Sequence, residues 1–171
     1  MSDFTNLAHE RYSCRSFSDK PVAFELIEKI IDVALAAPTA VNKQPFRLWV
    51  LTGNEVAKFT RHTRYDFGAH SYILVGAAHD EAWTRSYDMK NFADVDASIV
   101  ATHIMLAIAD LRLGTTWLGS FDAPAIAQEL PELAGYELIA AFPIGWPAAN
   151  AHPSPMHTKS RTKDELVSYL N

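Results

Sequence analysis

The sequence predicts a mixed α and β fold (α+β) in a single domain, and three features of the chain carry that expectation. Apolar residues recur at helical spacing over 24–37, three short apolar runs are bounded by turn-forming residues, and residues 92–113 are apolar almost all round. In 24–37, Leu26, Ile27, Ile30, Ile31 and Ala34 share one helical face and Pro38 ends the pattern, which predicts an amphipathic helix. The runs 46–51 and 72–78 are too short for stable helices and read as buried strands. Segment 92–113 reads as a central buried helix, with Gly114 where a left-handed C-terminal cap would fall. An extended stretch over 115–120, a short helix near 123–130 and a third strand over 138–144 follow. Residues 147–155, rich in Pro, Ala, Asn and His, read as a connector, so the chain is one domain over 1–171 with a C-terminal tail of about 147–171.

Composition narrows the function. With 49% hydrophobic and 20% charged residues the chain can bury a sizeable core. A formal net charge of -5 argues against a reader of phosphate backbones, so no nucleic-acid partner is expected. Cys14 is the only cysteine, which rules out an intrachain disulfide and a cysteine-based zinc cluster and fits a reducing cytoplasm. The N-terminus has no apolar leader, and the longest apolar run, 97–109, contains His103 and is too short to span a bilayer. Neither export nor a membrane partner is expected.

Several familiar signatures are missing. No GxGxxG motif supports a Rossmann dinucleotide site, and GTTWLGS at 114–120 imitates phosphate-loop spacing without its lysine. The seven histidines are scattered without metalloprotease spacing, so no metal is assigned. Cys14 has no partner base that would mark it as a nucleophile.

Three stretches remain informative. In RYSCRSF, 11–17, an extended backbone would project Arg11, Ser13 and Arg15 to one side, and a hydroxyl between two guanidiniums suits a phosphate or another anion. Taken alone, the same residues also fit a solvated basic turn. KSR at 159–161 repeats the theme beyond the connector, and alone it fits a charged tail equally. APTAVNKQPF, 37–46, joins a helix to a strand through residues that either present donors to a ligand or simply connect. In RLGTTWLGSFD, 112–122, Gly114 and Gly119 permit close backbone approach, although a strand end flanked by aromatics would look the same.

In this order, RYSCRSF, a helix, APTAVNKQPF, LGTTWLGSFD, FPIGWP and a terminal KSR, the chain resembles the nitroreductase family of flavoproteins from about Arg11 to Arg161. The resemblance implies a mixed, largely antiparallel sheet flanked by helices, an intertwined homodimer, and FMN at two shared interface sites. It implies that Arg11 and Ser13, with Lys159 and Arg161, hold the flavin phosphate region, and that Arg15 lies beside the N1 and O2 edge of the ring. Pro38, Thr39 and Asn42 match the segment that the partner subunit lays against the flavin. Trp117, Leu118, Gly119 and Ser120 match the strand end packed on the ring, with the Gly119 N–H as donor to flavin N5. Tyr12 stands at a cofactor-binding position where Arg or His is common, and Ala40 where Ser is common. Asp80 to Asn91 is shorter than the helical insertion that roofs the flavin in longer members, so the substrate pocket does not carry over.

The implied chemistry has two half-steps: NADH or NADPH gives hydride to flavin N5, and then a small-molecule acceptor takes the electrons on the same face. No protein acid or nucleophile is needed, because the cofactor carries the reaction. Nitroaromatics and quinones, flat and electron-poor, fit such a site. The alternatives are a specialised reductase of the same family, of dehalogenase or enoyl type, a non-catalytic flavin-binding carrier or sensor, and a structural dimer that has lost its cofactor.

Overall fold

The computed structural model describes residues 4–170. Its elements are α1 (Phe4–Glu10), α2 (Phe24–Leu35), β1 (Phe46–Thr52), α3 (Asn54–Thr60), β2 (Ser71–Ala77), α4 (Ala93–Asp110), α5 (Ala123–Glu129), β3 (Glu137–Ile144) and α6 (Lys163–Leu166). Short 3-10 turns occupy Ala40–Asn42 and Pro131–Leu133.

The three strands form an antiparallel sheet with β2 in the middle. All seven residues of β2 are buried, which is why its sequence is a continuous apolar run rather than an alternating one. Ile73, Val75 and Ala77 face one core with Ile30 and Ala34 of α2 and Val100, Ile104 and Ile108 of α4. Tyr72 and Leu74 face a second core with Phe59 of α3, Ile126 of α5 and Leu118. Burying one Ile or Leu side chain contributes about 1.5–3 kcal/mol, so two such cores hold β2 from both faces. The alanines of α4, among them Ala97, Ala101 and Ala107, let it pack against α1, α2 and the sheet at once. Among the described residues no helix is long and apolar enough to cross a membrane.

Beyond β3 the sheet continues irregularly. Single bridges join Gly114 to Gly145 and Leu118 to Ala141 antiparallel, and Ser13 to Thr115 parallel. The extended stretch expected over 115–120 thus pairs with β3 at Leu118, Ser13 pairs with its first residue, Thr115, and Phe17 pairs with Pro147 just after β3, so the sheet is mixed and largely antiparallel, as the resemblance implied.

Two expectations change. Gly114 does not cap α4: Arg112 takes the left-handed conformation at φ 61°. Its N–H donates to Ala109 O and that of Leu113 to Ile108 O, the paired bonds of a Schellman ending. What Gly114 supplies is space, because a Cβ there would sit 2.7 Å from Cys14 Sγ. The stretch 147–155 is not a free connector over its first half. Phe17 bridges to Pro147, the Ala148 N–H donates to Ser16 O, and Ser16 Oγ donates to Asn150 Oδ1, so residues up to 150 are tied to the opening segment. From Pro155 to Leu170 the tail is exposed throughout.

Candidate functional site

The opening segment owes its placement to backbone bonds rather than to its charges. The Arg11 N–H donates to Leu7 O, so Arg11 still belongs to the last turn of α1. Extended backbone begins only after it, where Cys14 N donates to Thr115 O at 2.8 Å and Ser18 N to Trp146 O at 2.9 Å. Cys14 is buried, and its thiol donates to Ser16 O. The alternation that the sequence assigns to Arg11, Ser13 and Arg15 therefore holds for the last two only. Ser13, Arg15 and Ser16 line a groove of about 420 Å³ whose other wall is formed by Asn150, Ala151, His152, Ser154 and Pro155. Arg11 and Tyr12 line a neighbouring cavity of about 180 Å³ with Cys14, Met105 and Thr115. Burial raises the Tyr12 phenol above its ordinary pKa, and neighbouring Cys14 adds to the shift.

The second component is the strand end at 117–120. Leu118 N donates to Ala141 O at 3.0 Å and Ala141 N to Leu118 O at 2.9 Å, and the Leu118 side chain is buried. Leu118 thus anchors the segment to the core rather than presenting a surface. Alternation along the strand sends Trp117 and Gly119 to the opposite side, and the Gly119 N–H away from β3. Trp117 is 37% exposed and rests edge-on against Phe142 at 5.4 Å. No described residue lies within 4 Å of where a Gly119 Cβ would be, so this edge is open to close approach. Ser120 O accepts from Thr63 Oγ1 at 2.8 Å.

The turn at 38–44 is held by a different set of bonds. Thr39 O accepts from Asn42 N, Thr39 Oγ1 from Gln44 N, and Asn42 Oδ1 from Gln44 Nε2. Asp96 of α4 is buried; its Oδ1 accepts from Ala40 N at 3.0 Å, and its Oδ2 is buried without a partner among the described residues. Val41, Asn42 and Gln44 all have positive φ, and for branched Val41 at φ 46° that conformation is strained. Val41 is nevertheless 71% exposed, so the strained turn projects from the molecule.

Within one chain these parts do not all meet. Ser13 and Arg15 share a groove with residues 150–155. Lys159 and Arg161 lie a few residues further along the exposed tail, where Arg161 Nε is 3.6 Å from Glu165 Oε1. Sequence reasoning passed over Asp96, Asn150 and the loop at 61–64. Each contacts the site through a pairing distant in sequence, which leaves no local pattern to find.

The residues 8–66 and 63–146 match the model of the nitroreductase family. A crystal structure of a nitroreductase family protein from Clostridium difficile 630 is 35% identical, with 99% of each chain covered and a TM-score of 0.90. An Archaeoglobus fulgidus protein assigned provisionally as an NADH dehydrogenase/NAD(P)H nitroreductase is 31% identical over 84% of this chain and 83% of its own. A Desulfovibrio desulfuricans protein provisionally named a nitroreductase, solved in complex with FMN, is 26% identical over 100% of this chain and 98% of that one, with a TM-score of 0.83. On this match of sequence and architecture, the chain belongs to the nitroreductase family.

Proposed function

We propose that the protein is an NAD(P)H-dependent oxidoreductase that uses FMN to pass electrons to flat, electron-poor acceptors such as nitroaromatics and quinones. The observation that carries this reading is the groove beside the open strand end. Ser13 and Arg15 flank Cys14, whose N–H is bonded to Thr115 O, and two residues further along that segment Trp117 is exposed and the Gly119 edge has no described residue within 4 Å of its Cβ position.

These residues fit the cofactor. A hydroxyl and a guanidinium on rigid backbone suit an anionic edge, and an unhindered glycine N–H beside an aromatic face suits a planar ring. When bound, FMN supplies two-electron hydride chemistry between the nicotinamide donor and the acceptor. The chain's own contribution is position and field. Arg15 stabilises negative charge on the ring edge more strongly when the ring is reduced than when it is oxidised, which favours the reduced form. Trp117 and the Gly119 backbone set the plane against which the ring packs, with Leu118 anchoring them from the core, and Ser13, Lys159 and Arg161 hold the phosphate end.

The site is shared between two chains in this reading. Thr39 and Asn42 on the projecting turn reach the partner's flavin, and the exposed apolar residues Leu35, Val41, Met156 and Tyr169 supply surface for the dimer to cover. The cytoplasm is the compartment that suits a single reduced cysteine and a soluble nucleotide donor.

The test is to purify the protein, record its spectrum with FMN added, and mix it anaerobically with NADH or NADPH. Bleaching of the flavin band within seconds, and its return on adding a nitroaromatic or quinone, is the expected result. A flavin that binds but does not bleach points instead to a carrier, and refusal of FMN to a structural dimer.

A further inference from the structure

From the loop between α3 and β2 we infer a recognition site for an oxyanion on the molecule that docks at the Gly119 edge, with Arg64 as its cation. The inference rests on the reading above only in placing the reacting molecule at that edge. Arg61, His62, Thr63 and Arg64 form one side of a shallow groove of about 630 Å³, and residues 119–122 form the other. The loop is fixed to the strand end. Thr63 Oγ1 donates to Ser120 O at 2.8 Å, and Asp122 N donates to His62 O at 2.9 Å.

The charges of the groove are unequally satisfied. The Arg61 guanidinium lies 3.1 Å from Glu129 and donates through Nε to Ala57 O, and His62 Nε2 lies 2.7 Å from the same glutamate. Asp122 turns its carboxylate to Ala125 N, where it caps α5. Arg64 is exposed and has no hydrogen-bond or ion-pair partner among the described residues. One guanidinium is thus left over on an anchored loop, at the rim of an edge where Gly119 admits a ligand. An unpaired guanidinium in that position matches a carboxylate or phosphate, which it can bind through two parallel N–H donors. The oxyanion has two natural sources: the phosphates of the nicotinamide donor, and a carboxylate on the acceptor.

Binding rather than turnover tests this. The protein, with FMN added, is titrated calorimetrically with two matched pairs, benzoate against benzamide and adenosine 2′,5′-bisphosphate against adenosine. The wild type is expected to prefer the anionic member of at least one pair by about tenfold, the order of one charge-assisted contact moderated by solvent. The favoured pair identifies the acceptor or the donor as the source. Arg64→Gln should erase the preference, Arg64→Lys should keep part of it, and both should retain the wild-type melting temperature. No preference in either wild-type pair, or a preference that survives in Arg64→Gln, overturns the assignment. Because no electron transfer is required, a protein that fails to bleach with NAD(P)H can still pass this test, and one that bleaches can still fail it.

Discussion

Gly114 and Gly119 stand five positions apart, and the structure gives them opposite roles that one substitution each can separate. A Cβ on Gly114 would lie 2.7 Å from Cys14 Sγ, 3.0 Å from Cys14 Cβ and 3.2 Å from Phe17 Cε1. Cys14 is buried and tied to Thr115 O, so it cannot retreat without breaking the bond that places Ser13 and Arg15. Overpacking of this kind costs about 1–3 kcal/mol. At roughly 2–4 °C per kcal/mol for a chain of this length, Gly114→Ala should lower the melting temperature of FMN-free protein by about 2–12 °C. Adding Cys14→Ala removes the nearest atom and should recover part of the loss beyond what additivity allows.

Gly119→Ala meets no neighbour within 4 Å and should leave the FMN-free melting temperature within the ordinary scatter of a surface change, about 0.5 kcal/mol. The new methyl would stand where the ring approaches, so FMN affinity should fall on the order of tenfold or more. Thermal melts without FMN, paired with fluorescence titration of FMN, separate the two effects. Wild-type melting in Gly114→Ala would refute the close approach of residues 14 and 114. Wild-type FMN affinity in Gly119→Ala would refute the strand end as the ring's support.

Arg15→Gln should make bound FMN harder to reduce, by on the order of 30 mV, while changing oxidised-flavin affinity less; an unmoved midpoint potential denies Arg15 its electrostatic role. Lys159→Ala with Arg161→Ala should weaken FMN by more than about thirtyfold, the loss of two charge-assisted contacts, and unchanged affinity in a fluorescence titration removes the tail from the phosphate site. If sites are shared, a heterodimer of that double variant with a Thr39→Trp chain carries both lesions in one site and none in the other. Up to half of wild-type activity should then return, whereas activity no higher than either inactive parent places each site within one chain. Glu129 is held below its ordinary pKa, first by its hydrogen bond with His62 and then by Arg61. A depressed carboxylate stabilises above its unfolded value and loses that contribution as pH falls through the folded one, so the melting-temperature gap between wild type and Glu129→Gln should be present at neutral pH and close below about pH 4.5. A gap that stays constant to pH 3 rules out the ion pair as its origin.

What the sequence revealed divides along a physical line. α2, α4 and the three strands were legible because each buries a face or a whole run, and burial writes a period into the chain. α1 buries no residue, α3 buries only Phe59, and α6 is one turn long, so none of them leaves a period to read. The end of α4 was misplaced because glycine serves two purposes. Its freedom of φ and its lack of a side chain look identical in sequence, and only the approach of Cys14 decides between them.

The site divides differently. The family resemblance marked Ser13, Arg15, Trp117 and Gly119, yet it treated residues 117–120 as a single contact. Their alternation shows that Leu118 looks inward while its neighbours look out. Arg64 had no motif at all, since what makes it notable is a shortage of partners. Arg61 and His62 have already taken Glu129, and α5 has taken Asp122. Such a shortage can be found only by counting which charges in a groove are already met, and that count needs every neighbour in place. The cofactor end of this site is therefore the part a sequence can announce. In the proposed reading the substrate end lies by the 61–64 loop, which long-range pairings such as Thr63 with Ser120 hold in place, and such a loop is where proteins that share a fold can differ in what they act on.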